Sequence, residues 1–281
     1  MERGVATIED VVRLPADGQV DSKSILLMPG RWEAYDPFLL CAEDRFHRPG
    51  GFEPHPHRGF ETVTLVLDGQ LEHADSRGNR GVLGPGDVQW MTAGRGVLHS
   101  EMPHGASRVH TLQLWLNLAP ADKLVEPGYQ DVKATDMPVH RASGVVTRLV
   151  SGRQFGSTGP VRNHVPALVL EVRAEAGSAW AIEVPGGDNG FVYLLAGLGR
   201  FGSEATHAED GQVVWMGPAD EPARFPIRAD SALHLFVATG APIRAPVVAH
   251  GPFVMNTKEQ IVEAVRDYEA GRFGTIPTGD G

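Results

Sequence analysis

The sequence predicts an all-β protein built as two related β-domains in tandem and closed by a single C-terminal helix. Three observations carry that prediction. The 281 residues include 34 glycines and 21 prolines, about one residue in five, a density that implies many tight turns but falls short of low-complexity disorder. Between those turns lie short β-branched and apolar runs of strand length. The turn-and-strand pattern also repeats: Leu65-Val66-Leu67-Asp68-Gly69 leading to Trp90-Met91 is echoed by Tyr193-Leu194-Leu195-Ala196-Gly197 leading to Trp215-Met216. The distance from glycine to tryptophan is 21 residues in the first copy and 18 in the second, a difference one loop absorbs.

Along the chain, the N-terminal MERGVATIEDVV places charges where a secretion signal needs an apolar core. No stretch reaches the roughly eighteen consecutive apolar residues of a membrane helix. Cys41 is the only cysteine, so no internal disulfide can form, and its setting in Phe38-Leu39-Leu40-Cys41 reads as a buried small apolar residue. A soluble cytoplasmic protein is expected, with no membrane partner. Lysine and arginine number 25 against 35 aspartates and glutamates, a net charge of −10 without a basic run; direct nucleic-acid binding is therefore disfavoured.

The segment TVTLVL, residues 62 to 67, followed by Asp68-Gly69 reads as a strand entering a tight turn. The same grammar recurs at 75 to 79, 84 to 87, 92 to 96 and 185 to 190. The turn-rich stretch 119 to 160 carries the link, giving an N-terminal domain over residues 1–130 and a C-terminal domain over residues 131–281. Near the end, Thr257-Lys258-Glu259-Gln260 has the form of a capping box. Ile261, Val262 and Val265 follow as an apolar stripe, and Gly271 can stop the helix.

The chemistry concentrates in the first copy. In Pro54-His55-Pro56-His57-Arg58-Gly59-Phe60-Glu61, residues i and i+2 of an extended chain point the same way, so His55 and His57 project side by side while Pro56 stiffens the link. Alone, two such histidines are a weak metal signal. A second i, i+2 pair, His99 and Glu101, follows the glycine-rich turn ending at Gly96. Three imidazoles and one carboxylate suit a first-row metal and leave positions in an octahedral shell for water, substrate or dioxygen. His73 and Asp75 read as a satisfied strand histidine and a turn-stabilising aspartate; His104 and His110 have no partner at ligand spacing. The tryptophans read as core, with Trp115 able to face either the pocket or the domain packing. Counted from the repeat glycines and tryptophans, the second copy has Glu183, Pro185, Arg224 and Pro226 at the four ligand positions, so that domain is expected to hold no metal.

The segments PHPHRGFETVTLVLDGQLEHADSRGN, GPGDVQWMTAGRGVLHSEMP and LQLWLNL and the tail GPFVMNTKEQIVEAVRDYEAGRFG resemble the pirin family of the cupin superfamily. The resemblance implies two tandem cupin (jelly-roll β-barrel) domains. It implies metal ligation by His55, His57, His99 and Glu101, with Glu61, the generic cupin carboxylate position, left structural or in outer contact. One divalent first-row metal is implied, iron(II) first, with manganese, cobalt, nickel, copper or zinc as alternatives. The function implied is a quercetin 2,3-dioxygenase-like oxidoreductase, acting on a flavonol or catechol-like aromatic with dioxygen, Glu101 serving as catalytic base. The alternative is a metal- or redox-responsive regulator that binds a protein partner without turnover.

Overall fold

The computed structural model describes residues 1–277. Two seven-stranded sheets and two four-stranded sheets make up two β-units. Among the described residues, the first barrel consists of Arg13–Ala134 together with residues 243–277; the second consists of Met1–Val12 and Thr135–Pro242. This partition differs from a single cut at residue 130, because each barrel takes in one terminus of the chain. Val5–Asp10 pairs antiparallel with Gln212–Met216 at the edge of the second barrel's large sheet. The corresponding edge of the first is taken by a strand from within, Gly128–Val132, pairing with Val88–Thr92. The C-terminal helix, expected with residues 131–281, belongs to the first barrel.

The repeat read from sequence is a topological repeat. In the first barrel Phe60–Asp68 and Phe38–His47 flank Arg108–Asn117; in the second, Asn189–Ala196 and Ala167–Ala174 flank Leu233–Gly240 in the same order. The small sheets match too, with Val97–Pro103 between Phe52–His57 and Leu71–Asp75, and Ala223–Ala229 between Ala179–Val184 and Leu198–Phe201.

The fillings of the two barrels differ. The second is packed by one apolar cluster that includes Leu170, Ile182, Val184, Phe201, Phe225, Ile227 and Leu235, all buried. Its small sheet sets Ile182 opposite Phe225 and Glu183 opposite Arg224; the first pair is buried and the second exposed. The ligand positions counted from sequence therefore fall one residue out of phase. Because a strand's side chains alternate faces, a one-residue slip in the count moves every position from the interior to the surface. The interior positions one step from the counted ones are Ile182, Val184, Phe225 and Ile227, and none of their side chains offers a lone pair.

In the first barrel the alternate residues of Phe60–Asp68 and Arg108–Asn117 include Thr62, Thr64, Gln113 and Trp115, while Val20, Phe46, Val66, Leu71, Leu83 and Val109 form an apolar cluster of their own. The C-terminal helix Lys258–Glu269 begins with the expected capping box: Gln260 N–H donates to Thr257 Oγ1, and Gln260 Oε1 accepts from Thr257 N–H. It ends before Gly271, whose φ of 70° is the left-handed turn that stops it. Ile261 and Ala264 pack with Phe253, Met255 and Phe273.

Candidate metal centre

The pairing of Phe52–His57 with Val97–Pro103 sets His55 directly opposite His99 and His57 opposite Val97. Alternation then turns His55, His57 and His99 to one side. Their ring centroids are 4.3 to 4.9 Å apart, and one nitrogen from each falls within 4.8 Å of the others. His57 and His99 are buried and His55 half-buried.

The hydrogen bonds fix which lone pairs remain. His55 Nδ1 lies 2.8 Å from the carbonyl oxygen of Glu53; a carbonyl only accepts, so Nδ1 carries a hydrogen, and Nε2 is the nitrogen whose lone pair the neutral ring offers to a ligand. Both ring nitrogens of His99 are buried without a hydrogen-bond partner, and His57 has the Pro252 backbone as its one polar neighbour outside the cluster. Buried polar atoms normally have partners, and leaving one unpaired costs about 1–3 kcal/mol. Burial, followed by the neighbouring His55, holds the pKa of His57 and His99 well below the ordinary imidazole value. Burial thus favours the neutral ring at His57 and His99, the state a metal ligand requires, and all three rings bring a nitrogen to one point. The donor set fits a divalent first-row metal.

Glu101 is buried two residues beyond His99. It lies outside the three-nitrogen group: Thr64 Oγ1 donates to its Oε1 at 2.9 Å, and Gln113 Nε2 donates to its Oε2 at 2.8 Å. Glu61 takes no part. Three residues from Thr64 on the same strand, it occupies the opposite face, where it accepts from Thr92 Oγ1 at 2.7 Å. Trp115 faces the site, its ring 5.2 Å from that of His57 and 4.4 Å from that of Phe60.

The turn after His57 is shaped by what docks on it. Gly59 has a φ of +89°, and a Cβ there would lie 2.0 Å from the carbonyl oxygen of Val254. Val254 N–H donates to the Arg58 carbonyl, and buried Lys123 Nζ bridges the carbonyls of Gly59 and Val254 at 2.7 and 2.9 Å. Arg58 reaches Asp267 of the C-terminal helix at 2.8 Å. The Arg-Gly that follows the histidine pair is therefore the seat of the chain's C-terminal segment.

Other histidines have ordinary partners: His110 meets Glu43 at 2.7 Å and His73 meets Asp131 at 3.2 Å. Asp75 accepts from the backbone of Arg77 and Asn79, as a turn aspartate does. Sequence reasoning missed Asp44, a buried carboxyl 3.4 Å from Lys23 whose pKa burial raises to about 6. It also missed Thr64 and Gln113, although polar residues at alternate positions of otherwise apolar buried strands were a signal available for both.

The sequence profile of the family described as Pirin matches residues 26–116, and that of the Pirin C-terminal cupin domain matches residues 169–274. The chain is 40% identical over 261 residues to a pirin-like protein of tomato, Solanum lycopersicum, covering 92% of this chain and 88% of the other. The chain belongs to the pirin family. Human pirin is 39% identical over 242 residues, 85% of this chain and 83% of the human one. Among solved structures, a quercetin 2,3-dioxygenase from Acinetobacter baumannii superposes with a TM-score of 0.90 at 30% identity, covering 99% of this chain and 100% of that one. The two barrels are accordingly the tandem cupin domains of a pirin, and the three converging histidines lie within the stretch matched by the Pirin profile.

Proposed function

We propose that the first cupin barrel holds one divalent first-row metal, iron(II) by first preference, through His55, His57, His99 and Glu101, and that the protein is a dioxygenase cleaving flavonols such as quercetin. The observation that carries this reading is the convergence of one nitrogen each from His55, His57 and His99 within 4.8 Å, with both ring nitrogens of His99 buried and partnerless. Similarity along the whole chain to the Acinetobacter baumannii dioxygenase supports the substrate class. We place the protein in the cytoplasm; among the described residues no helix is long and apolar enough to cross a membrane.

A metal held by these residues would lower the pKa of a coordinated hydroxyl and bring an aromatic substrate and dioxygen together. The chain's own residues do the rest. The imidazoles spend their lone pairs on ligation, so the proton leaving the flavonol 3-hydroxyl needs another acceptor. Glu101 is the only carboxylate of the four, and the lone pairs its oxygens do not commit to Thr64 and Gln113 can take that proton. Trp115 and Phe60 supply aromatic faces beside His57 for a planar substrate.

Oxygen uptake by the metal-loaded protein with quercetin tests the reading. Wild type should consume dioxygen, and Glu101→Gln at matched metal content should be slower by on the order of 10² to 10⁴. If the metal-loaded wild type consumes none with quercetin or a catechol, the dioxygenase reading fails, and binding to a protein partner according to metal state takes its place.

A further inference from the structure

Glu101 is held by a chain of hydrogen bonds whose direction can be read donor by donor. Gln113 and Thr64 are cross-strand partners, and Trp115 lies two residues beyond Gln113 on the same face. Trp115 Nε1, which can only donate, is 3.0 Å from Gln113 Oε1. That contact settles the orientation of the amide: its oxygen faces the indole, so its NH2 faces the site. The NH2 donates at 2.8 Å to Glu101 Oε2 and at 3.1 Å to Thr64 Oγ1. Having accepted from Gln113, the Thr64 hydroxyl directs its own hydrogen to Glu101 Oε1, 2.9 Å away. Every donor in the chain points toward the carboxylate, and each carboxylate oxygen receives one.

We propose that Gln113, braced by Trp115 and acting with Thr64, is the positioning residue of the metal centre: it fixes the rotation of the Glu101 carboxylate and so decides how that carboxylate meets the metal. This rests on the ligand set proposed above. The physical reason is that a carboxylate at the end of three rotatable bonds has no fixed orientation of its own. Two donors on two different oxygens remove that freedom before the metal arrives, and outer partners of this kind typically contribute 10- to 100-fold in metal affinity. The same Trp115 ring lies against His57, so one side chain braces the carboxylate's support and packs on an imidazole of the cluster.

A plain packing role for these polar residues predicts something different, because it acts whether or not Glu101 is present. The two are separated by titrating cobalt(II) into the metal-stripped full-length protein, reading the dissociation constant by calorimetry and the visible ligand-field spectrum of the bound ion. Gln113→Leu and Thr64→Val should each weaken binding 10- to 100-fold and shift the spectrum, while Thr64→Ser, which keeps the hydroxyl, should stay near wild type. In a Glu101→Ala background the same two substitutions should change affinity by less than about twofold, since no carboxylate remains to orient. Equal losses in both backgrounds, or full affinity and an unchanged spectrum in Gln113→Leu and Thr64→Val, overturn the proposal. If Gln113→Leu does not fold, the Thr64 series decides alone. If Glu101→Ala itself binds cobalt like wild type, the failure lies in the ligand assignment of Glu101 rather than in its positioning.

Discussion

At Asp44 a carboxyl is buried beside the half-buried Lys23, and burial lifts its pKa from 3.8 to about 6, with the charge of Glu101 adding to the rise. Between those two values the native chain binds more protons at Asp44 than the unfolded chain, so its contribution to stability falls as pH rises through that window and the penalty is complete above it. Asp44→Asn removes the titration. Chemical denaturation should show the variant gaining on wild type by on the order of 2 kcal/mol between pH 4 and pH 7; a constant difference across that range would contradict the assignment. His57 and His99 work in the opposite sense. Their native pKa values lie below the ordinary imidazole value, so in the metal-free protein the unfolded state takes up protons first, and stability should drop as pH falls below about 6.5. In His57→Ala the drop should be shallower. The histidine pairs were legible in the sequence because spacing of i, i+2 on a strand is local information. Thr64 and Gln113 were not singled out, since what makes them part of the site is their contact with Glu101 from another strand; nor was Asp44, whose burial beside Lys23 depends on strand pairing.

At the scale of elements, the strand from Thr62 with its Asp68-Gly69 turn and the capped C-terminal helix formed as the sequence implied, because propensity, turn chemistry and the capping box agree there. Thr257→Ala removes the side-chain acceptor of that box and should cost about 1 kcal/mol in a denaturant titration. The second barrel shows where local reading stops: counting from Gly197 and Trp215 reached the right strands but not the phase, and the interior holds Ile182 and Phe225 where the count places Glu183 and Arg224. The C-terminal segment offers a sharper test of packing. Gly59→Ala would both strain a backbone at φ +89° and drive a methyl onto the Val254 carbonyl, so the loss should exceed the ~1 kcal/mol of an ordinary glycine effect. Protease cleavage or hydrogen exchange should show residues 251 to 256 released; unchanged protection of that segment would contradict its docking on the histidine turn.

At the scale of the molecule, two copies of one β-topology differ in their filling: one is apolar throughout its cluster, and the other sets the polar group of Thr64, Gln113 and Glu101 beside three imidazoles. The repeat was visible in sequence, whereas the exchange of chain ends was not: Val5 and Met216 are neighbours across a sheet but lie more than two hundred positions apart, beyond any periodicity argument. The polar filling is the feature that the account must explain, and a bound metal explains it. The most direct measurement is therefore the metal content of the purified full-length protein by elemental analysis, beside that of His57→Ala. The account predicts about one first-row metal per wild-type chain and its near-complete loss from the variant. Equal metal in both proteins, or none in wild type after loading with iron(II), would contradict it.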